Sequence, residues 1–314
     1  MFVRPIGFLA LIAMLVPALV SAAPLPRSEP LIRVGITIGD AYAEGYYAQD
    51  LGFFKKAGLH VQLTQFSTGA AISTGVLSGT VDLGVATILQ LARATLQGAP
   101  YVLLASAGMY SSRSPLVALA VARNSPLRTA ADFEGKTIAI VSTSDVAYLG
   151  IMAWLDRNGG NSAKTYYIQI PWAEMPAALE SGLADGALLA EPWLTAAVEQ
   201  GTIRVIAHPY EAVAPQFIVG AWFTTKSWYR THREAAKRFA RAIYEAGRWA
   251  NAHQDLSAAL LAKHAKMDVE TIRASARAPY ASSLDVSLLQ PLLDLAYRYH
   301  ALGRRVDAAA LIAR

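Results

Sequence analysis

Leu31-Ile-Arg-Val-Gly-Ile-Thr-Ile38 opens a stretch that runs on through Gly45-Tyr-Tyr-Ala-Gln-Asp-Leu-Gly-Phe-Phe-Lys-Lys-Ala-Gly-Leu-His-Val-Gln-Leu63 and Leu77-Ser-Gly-Thr-Val-Asp-Leu-Gly84 to Gly98-Ala-Pro-Tyr-Val-Leu-Leu-Ala105. Apolar runs of strand length alternate here with segments of helical period. That alternation predicts βαβ units and a parallel sheet, an α/β fold. In such sheets a ligand sits beyond the carboxyl ends of the strands, against helix N-termini. The rest of the chain reads as a second half-site facing this one.

The chain has 314 residues, 54% of them hydrophobic, enough for more than one core, so two lobes are expected. The low charged fraction and ordinary Gly and Pro content argue against disorder. A net charge of +5, scattered apart from Arg230–Arg241, fits at most mild steering of an anion and leaves no nucleic-acid footprint. There is no cysteine, which excludes disulfides, thiolate nucleophiles, Cys-zinc sites and a lipid-anchored Cys. The six histidines are dispersed with no metal-ligating spacing. No cofactor or metal is expected.

Arg4, the apolar run 6–20 and Ser21-Ala-Ala-Pro24 have the layout of a secretory signal. The apolar run is short for a span and Pro17 interrupts it, so residues 1–22 are expected to be removed on export to the periplasm.

Taken in order, Leu31–Ile38 is a strand followed by the loop Gly39-Asp-Ala-Tyr-Ala43. Glu44–Lys56 reads as one helix, ended at Ala57-Gly58, and Leu59–Phe66 as the second strand. Ser67-Thr-Gly-Ala-Ala71 opens the next helix; Thr68 is a cap or a ligand contact, and Gly69 lets the backbone approach a ligand. After the strand Val81–Ala86, Thr87-Ile-Leu-Gln90 matches a capping box, with Thr87 again either cap or contact.

The polar break Tyr110–Pro115 and the strand Leu116–Ala122 mark a crossing into the second lobe. There Ser142-Thr-Ser-Asp145 repeats the arrangement of the Ser67 loop, which makes Ser144 and Asp145 candidates. Glu191-Pro-Trp193 sits at the end of the strand Ala184–Ala190; Glu191 can accept from an amine or hydroxyl and Trp193 can stack, or both can serve packing. Phe217–Thr224 returns to the first lobe, and Thr231-His-Arg-Glu234 reads as a capping box opening a long helix. Helices over Asp255–Ala265, Val269–Ala276 and Ser287–Leu302 are expected to brace the first lobe. The boundaries are residues 31–115 with 220–314 for one lobe and 116–219 for the other.

Five stretches resemble, in register, the extracytoplasmic solute-binding proteins of the nitrate/taurine/sulfonate ABC transporter family. They are Tyr47–Val61, Gly79–Gly84, Gly98-Ala-Pro100, Asp132–Ile138, and Leu179–Gly186 with Glu191-Pro-Trp193. The resemblance implies a type II periplasmic binding fold: two α/β lobes joined by two crossing strands, with the ligand cleft between them. It also implies a monomer that closes on a small-molecule solute and delivers it to an inner-membrane permease and its ATPase. By position, the family's contacts map onto Asp40, Tyr42, Thr68, Gly69, Thr87, Ser144, Asp145, Glu191 and Trp193.

The ligand stays open at this point. A nitrate or small sulfonate needs a compact, donor-rich site, whereas Tyr42, Tyr110, Trp172 and Trp193 with Asp40, Asp145 and Glu191 suit an aromatic, heterocyclic or amine-bearing solute as well. Two other classes compete: a secreted sensor presenting its ligand to a receptor, and a pyrimidine-forming enzyme of the same fold. Such enzymes use a Cys-rich motif and a site His, which the predicted cleft lacks.

Overall fold

The protein, described by a computed structural model over residues 1–2 and 30–313, is built on two five-stranded sheets. The expected signal segment lies, beyond its first two residues, outside the described residues. No helix among the described residues is long and apolar enough to cross a membrane.

The strands in chain order are β1 (Leu31–Ile36), β2 (His60–Gln65), β3 (Leu83–Thr87), β4 (Tyr101–Ser106), β5 (Met109–Ser111) and β6 (Val117–Ala122). The second half adds β7 (Thr137–Ile140), β8 (Tyr166–Gln169), β9 (Gly186–Ala190), β10 (Ile203–Ala207), β11 (Gln216–Ile218) and β12 (Gly220–Thr225). The first sheet has the order β2-β1-β3-β12-β4 and the second β10-β6-β9-β7-β8. Between them, β5 and β11 pair as a two-stranded antiparallel ribbon, so the chain passes twice from one sheet to the other.

The expectation of parallel sheets needs correction. β2, β1 and β3 are parallel, as are β8, β7 and β9. β12, however, enters antiparallel between β3 and β4, and β6 lies antiparallel to β9 and β10. Both reversed strands are the ones that follow a passage between sheets, so each arrives from the opposite side. Covered on both faces, the inner strands are apolar almost throughout: every residue of β3 and β9 is buried, and Val117–Val121 of β6.

The helices follow the sequence pattern with two corrections. Glu44–Lys56 is two helices, Glu44–Asp50 and Phe53–Lys56, because Gly52 between them takes a left-handed conformation with φ 74°. Thr231 does not cap the long helix. It ends the short helix Lys226–Thr231, its hydroxyl donating back to Ser227 and Trp228, and the 20-residue helix Arg233–Ala252 starts after His232. That helix buries Phe239, Ile243, Ala246 and Ala250 and leaves Arg233, Lys237, Arg241 and Arg248 exposed. Phe239 stacks on Phe54 and meets Trp222 of β12 edge-on, which ties the helix to the first sheet.

The C-terminal segment does more than brace one lobe. Thr271 donates to Glu199 of the second lobe, and Ala276 N–H to Glu191. Pro279 accepts from the Met109 N–H of β5. Residues 271–280 thus run along the junction of the two lobes.

Candidate functional site

A cavity of about 40 Å³ lies where the two lobes meet. The first lobe supplies Gly39-Asp-Ala-Tyr42, the loop beyond the end of β1, and Val219 before β12. The second supplies Leu116 just before β6, Val117 at its start, Asp145, Trp172, Ala190-Glu191 at the end of β9, and Tyr210. The loops at strand ends converge as the alternating pattern dictates. The volume is on the order of one to three waters, so the lobes stand closed on each other.

Four of the nine residues expected at the site line this cavity: Asp40, Tyr42, Asp145 and Glu191. Asp40 is buried, and its carboxylate is fully engaged. Oδ1 accepts from Arg277 Nε at 2.9 Å, and Oδ2 accepts from the Ala278 N–H. Arg277 also donates to the Tyr47 hydroxyl at 2.9 Å. Asp40 is therefore an anchored wall of the cavity with its charge answered from behind.

Glu191 is 6% exposed and accepts from Thr195 N–H, Thr195 Oγ1 and Ala276 N–H. Burial nevertheless pushes its carboxyl up to about 7. Asp145 caps the helix Val146–Arg157 through Oδ1, which accepts from Ala147 N–H at 3.2 Å. Burial raises it to about 6. Tyr42 and Tyr210 are both more than nine-tenths buried, and neither phenol makes a hydrogen bond among the described residues. Burial holds both hydroxyls protonated, with the Asp145 charge acting in the same direction.

The other five expected residues lie outside the cavity lining, each for a definable reason. Thr68 is exposed and caps the helix Gly69–Ser78 by accepting from Ala71 N–H. Gly69 is needed for a close approach, but by a side chain of the protein: a Cβ there would sit 2.6 Å from Gln90 Oε1. Thr87 and Gln90 form the expected capping box on the helix Ile88–Leu96. Ser144 pairs with Ser142 at 2.9 Å. Trp193 packs against Trp172 with ring centroids 5.5 Å apart, so Trp172 is the indole that reaches the cavity. Tyr110 belongs to the ribbon, where its ring meets Tyr210 and Phe217.

Three residues that sequence reading did not single out matter here. Gln90 Nε2 donates across the cleft to Asp145 Oδ2 at 3.4 Å, a direct link between the two helix starts. Tyr210 lines the cavity from the second lobe, and Arg277 anchors Asp40 from 237 positions away. The i to i+3 spacing of Thr87 and Gln90 signalled a cap; nothing local signalled the other two.

The family model described as NMT1/THI5 like matches residues 41–257. Among curated proteins, none matches the sequence. Of solved structures, the alkanesulfonate-binding protein SsuA from Xanthomonas axonopodis pv. citri, bound to MOPS, superposes with a TM-score of 0.78 at 20% identity, covering 91% of this chain and 99% of its own. The periplasmic nitrate-binding protein NrtA from Synechocystis PCC 6803 gives 0.76 at 17% identity, over 90% of this chain and 84% of its own. The desulfurization enzyme DSZB gives 0.68 at 14% identity, over 90% and 96%. These likenesses establish the periplasmic-binding-protein fold, two α/β lobes joined by two crossings with the cleft between them.

Proposed function

The chain belongs to the NMT1/THI5-like family, and from that premise we propose that it is the periplasmic substrate-binding component of an ABC importer. In this reading it captures a small solute between residues 31–115 with 220–314 on one side and 116–219 on the other. The closed form is what an inner-membrane permease and its ATPase receive. The protein acts as a monomer, without covalent chemistry, after export directed by residues 1–22.

The observation that carries the reading is the cavity at the meeting of the lobes, lined from both and bridged by Gln90 and Asp145. A ligand touching both lobes binds the closed state better than the open one and so shifts the population toward it. The likeness to an alkanesulfonate-binding and a nitrate-binding protein, and the five stretches in register, support the same assignment. The ionisable groups lining the cavity are carboxyls and phenols, and the chain has no Cys to serve as a thiolate nucleophile.

Small-angle scattering of the purified protein, alone and with a concentrated extract of small solutes, tests the reading. A contraction accompanied by a retained small molecule in native mass spectrometry is expected. An unchanged radius with nothing retained overturns it.

A further inference from the structure

Resting on that reading of the cleft, we propose that the solute is a small organic cation, a protonated amine whose ammonium is taken by Asp145 and Glu191 and whose carbon frame lies against Tyr42, Tyr210 and Trp172. Every ionisable side chain lining the cavity is a carboxyl or a phenol: Asp40, Asp145, Glu191, Tyr42 and Tyr210. No Lys, Arg or His lines it. Arg277 stands behind Asp40 and is matched by it one to one. The unanswered charge facing the cavity is therefore that of Asp145 and Glu191, delivered from the same lobe by two different elements.

At each of the two facing helix starts a side chain already caps a backbone donor. At the first-lobe helix start, Gln90 N–H donates to Thr87 Oγ1. At the second-lobe start, Ala147 N–H donates to Asp145 Oδ1. A nitrate or sulfonate entering here would displace a cap and face two carboxylates. An ammonium instead brings donors to oxygens that keep acceptor capacity.

Two further features point the same way. Tyr42 and Tyr210 are buried residues of the cavity wall, and a phenol oxygen can accept from an N–H. Tyr42, Tyr210 and Trp172 bring three aromatic rings to the cavity lining, and a ring quadrupole attracts a cation. A buried carboxylate, whose charge burial disfavours, is stabilised by a bound cation, so selectivity for amines over their neutral analogues follows from desolvation.

The test is calorimetric titration of the purified protein at pH 7.5 with methylamine, butylamine, benzylamine, ethanolamine and putrescine. Butanesulfonate, benzoate, nitrate and benzyl alcohol form the opposing arm. At least one amine is expected to bind and none of the opposing arm. D145N and E191Q are expected to weaken that amine on the order of 10- to 100-fold each. Urea midpoints of both variants establish that they fold. Binding in the opposing arm alone, silence with every amine, or amine binding unchanged in both variants overturns the proposal. Native mass spectrometry after exposure to a solute extract separates the two failures. A retained anionic or neutral solute removes the cation assignment and leaves the binding-protein reading standing; nothing retained in any arm removes both.

Discussion

Arg277 Nε donates to Asp40 Oδ1 at 2.9 Å, joining residues 237 positions apart in the wall of the cavity. Both side chains are almost fully buried, so each charge is tolerable only because the other is there. Arg277→Met is expected to destabilise the protein by about 3–5 kcal/mol, since it leaves Asp40 buried and unpaired. The pair Asp40→Asn with Arg277→Met is expected to cost clearly less than the sum of the single changes. Urea unfolding of the four proteins measures both. Strict additivity would mean that the two charges are not coupled.

The carboxyls of the cleft give the free protein a characteristic response to pH. Glu191 is pushed up to about 7 and Asp145 to about 6, in both cases by burial. Glu191 faces Thr195, the Ala276 N–H and the Asp40 charge; Asp145 faces Gln90, Ala147 N–H, Tyr42 and Tyr210. The folded state therefore holds these protons more tightly than the unfolded chain. As pH rises from about 4 through 7, the unfolded chain ionises first and stability falls. Glu191→Gln is expected to remove on the order of 1–3 kcal/mol of that fall, read from urea midpoints between pH 4.5 and 7.5. An equally steep fall in the variant would show that Glu191 is not the group responsible. A bound amine has the opposite dependence, tightening over the same interval as the carboxyls ionise.

Glu44 is 1% exposed, with Oε1 accepting from Trp222 Nε1 at 2.8 Å and Oε2 unpartnered. Burial raises its carboxyl to about 8, so at pH 6 it is already neutral. Glu44→Gln keeps the acceptor for Trp222 and is expected to cost under about 1 kcal/mol at that pH. Glu44→Ala leaves the indole N–H unsatisfied and is expected to cost about 1–3 kcal/mol. Thermal unfolding of the two variants at pH 6 distinguishes them. A large loss in the Gln variant would mean that the charge itself is needed.

The legible parts were the local ones. Apolar runs such as Leu83–Ala86 and Val117–Val121 announce buried strands, and Thr87 with Gln90 announces a cap, because each signal is complete within a few residues. The reversed direction of β12 was not legible, since strand pattern is the same either way and only the route of the chain decides. Thr231 carried the spacing of a capping box yet ended the previous helix, because spacing alone does not say on which side of a break a residue falls. At the cleft, Asp40, Tyr42, Asp145 and Glu191 could be found as polar groups at strand ends. Arg277 and Tyr210 could not, as their partners come from distant sequence.

Gly69 and Gln90 supply the last prediction, because one small residue makes room for the side chain that spans the cleft. A Cβ at position 69 would meet Gln90 Oε1 at 2.6 Å, the atom that accepts from Thr87 N–H in the capping box. Gln90 Nε2 on the same amide reaches Asp145 Oδ2. A side chain at position 69 therefore swings the amide aside, and it also presses on Ala86 Cβ at 3.3 Å, which must give by a few tenths of an ångström. Gly69→Ala and Gln90→Ala are expected to act alike, each shifting the lobes toward the open form by about 0.5–1.5 kcal/mol. Both should leave the urea midpoint within about 1 kcal/mol of the parent. Scattering radii of the two variants against the parent provide the check. Expansion in Gln90→Ala with none in Gly69→Ala would show that the glycine serves the helix start alone and that the amide keeps its place without it.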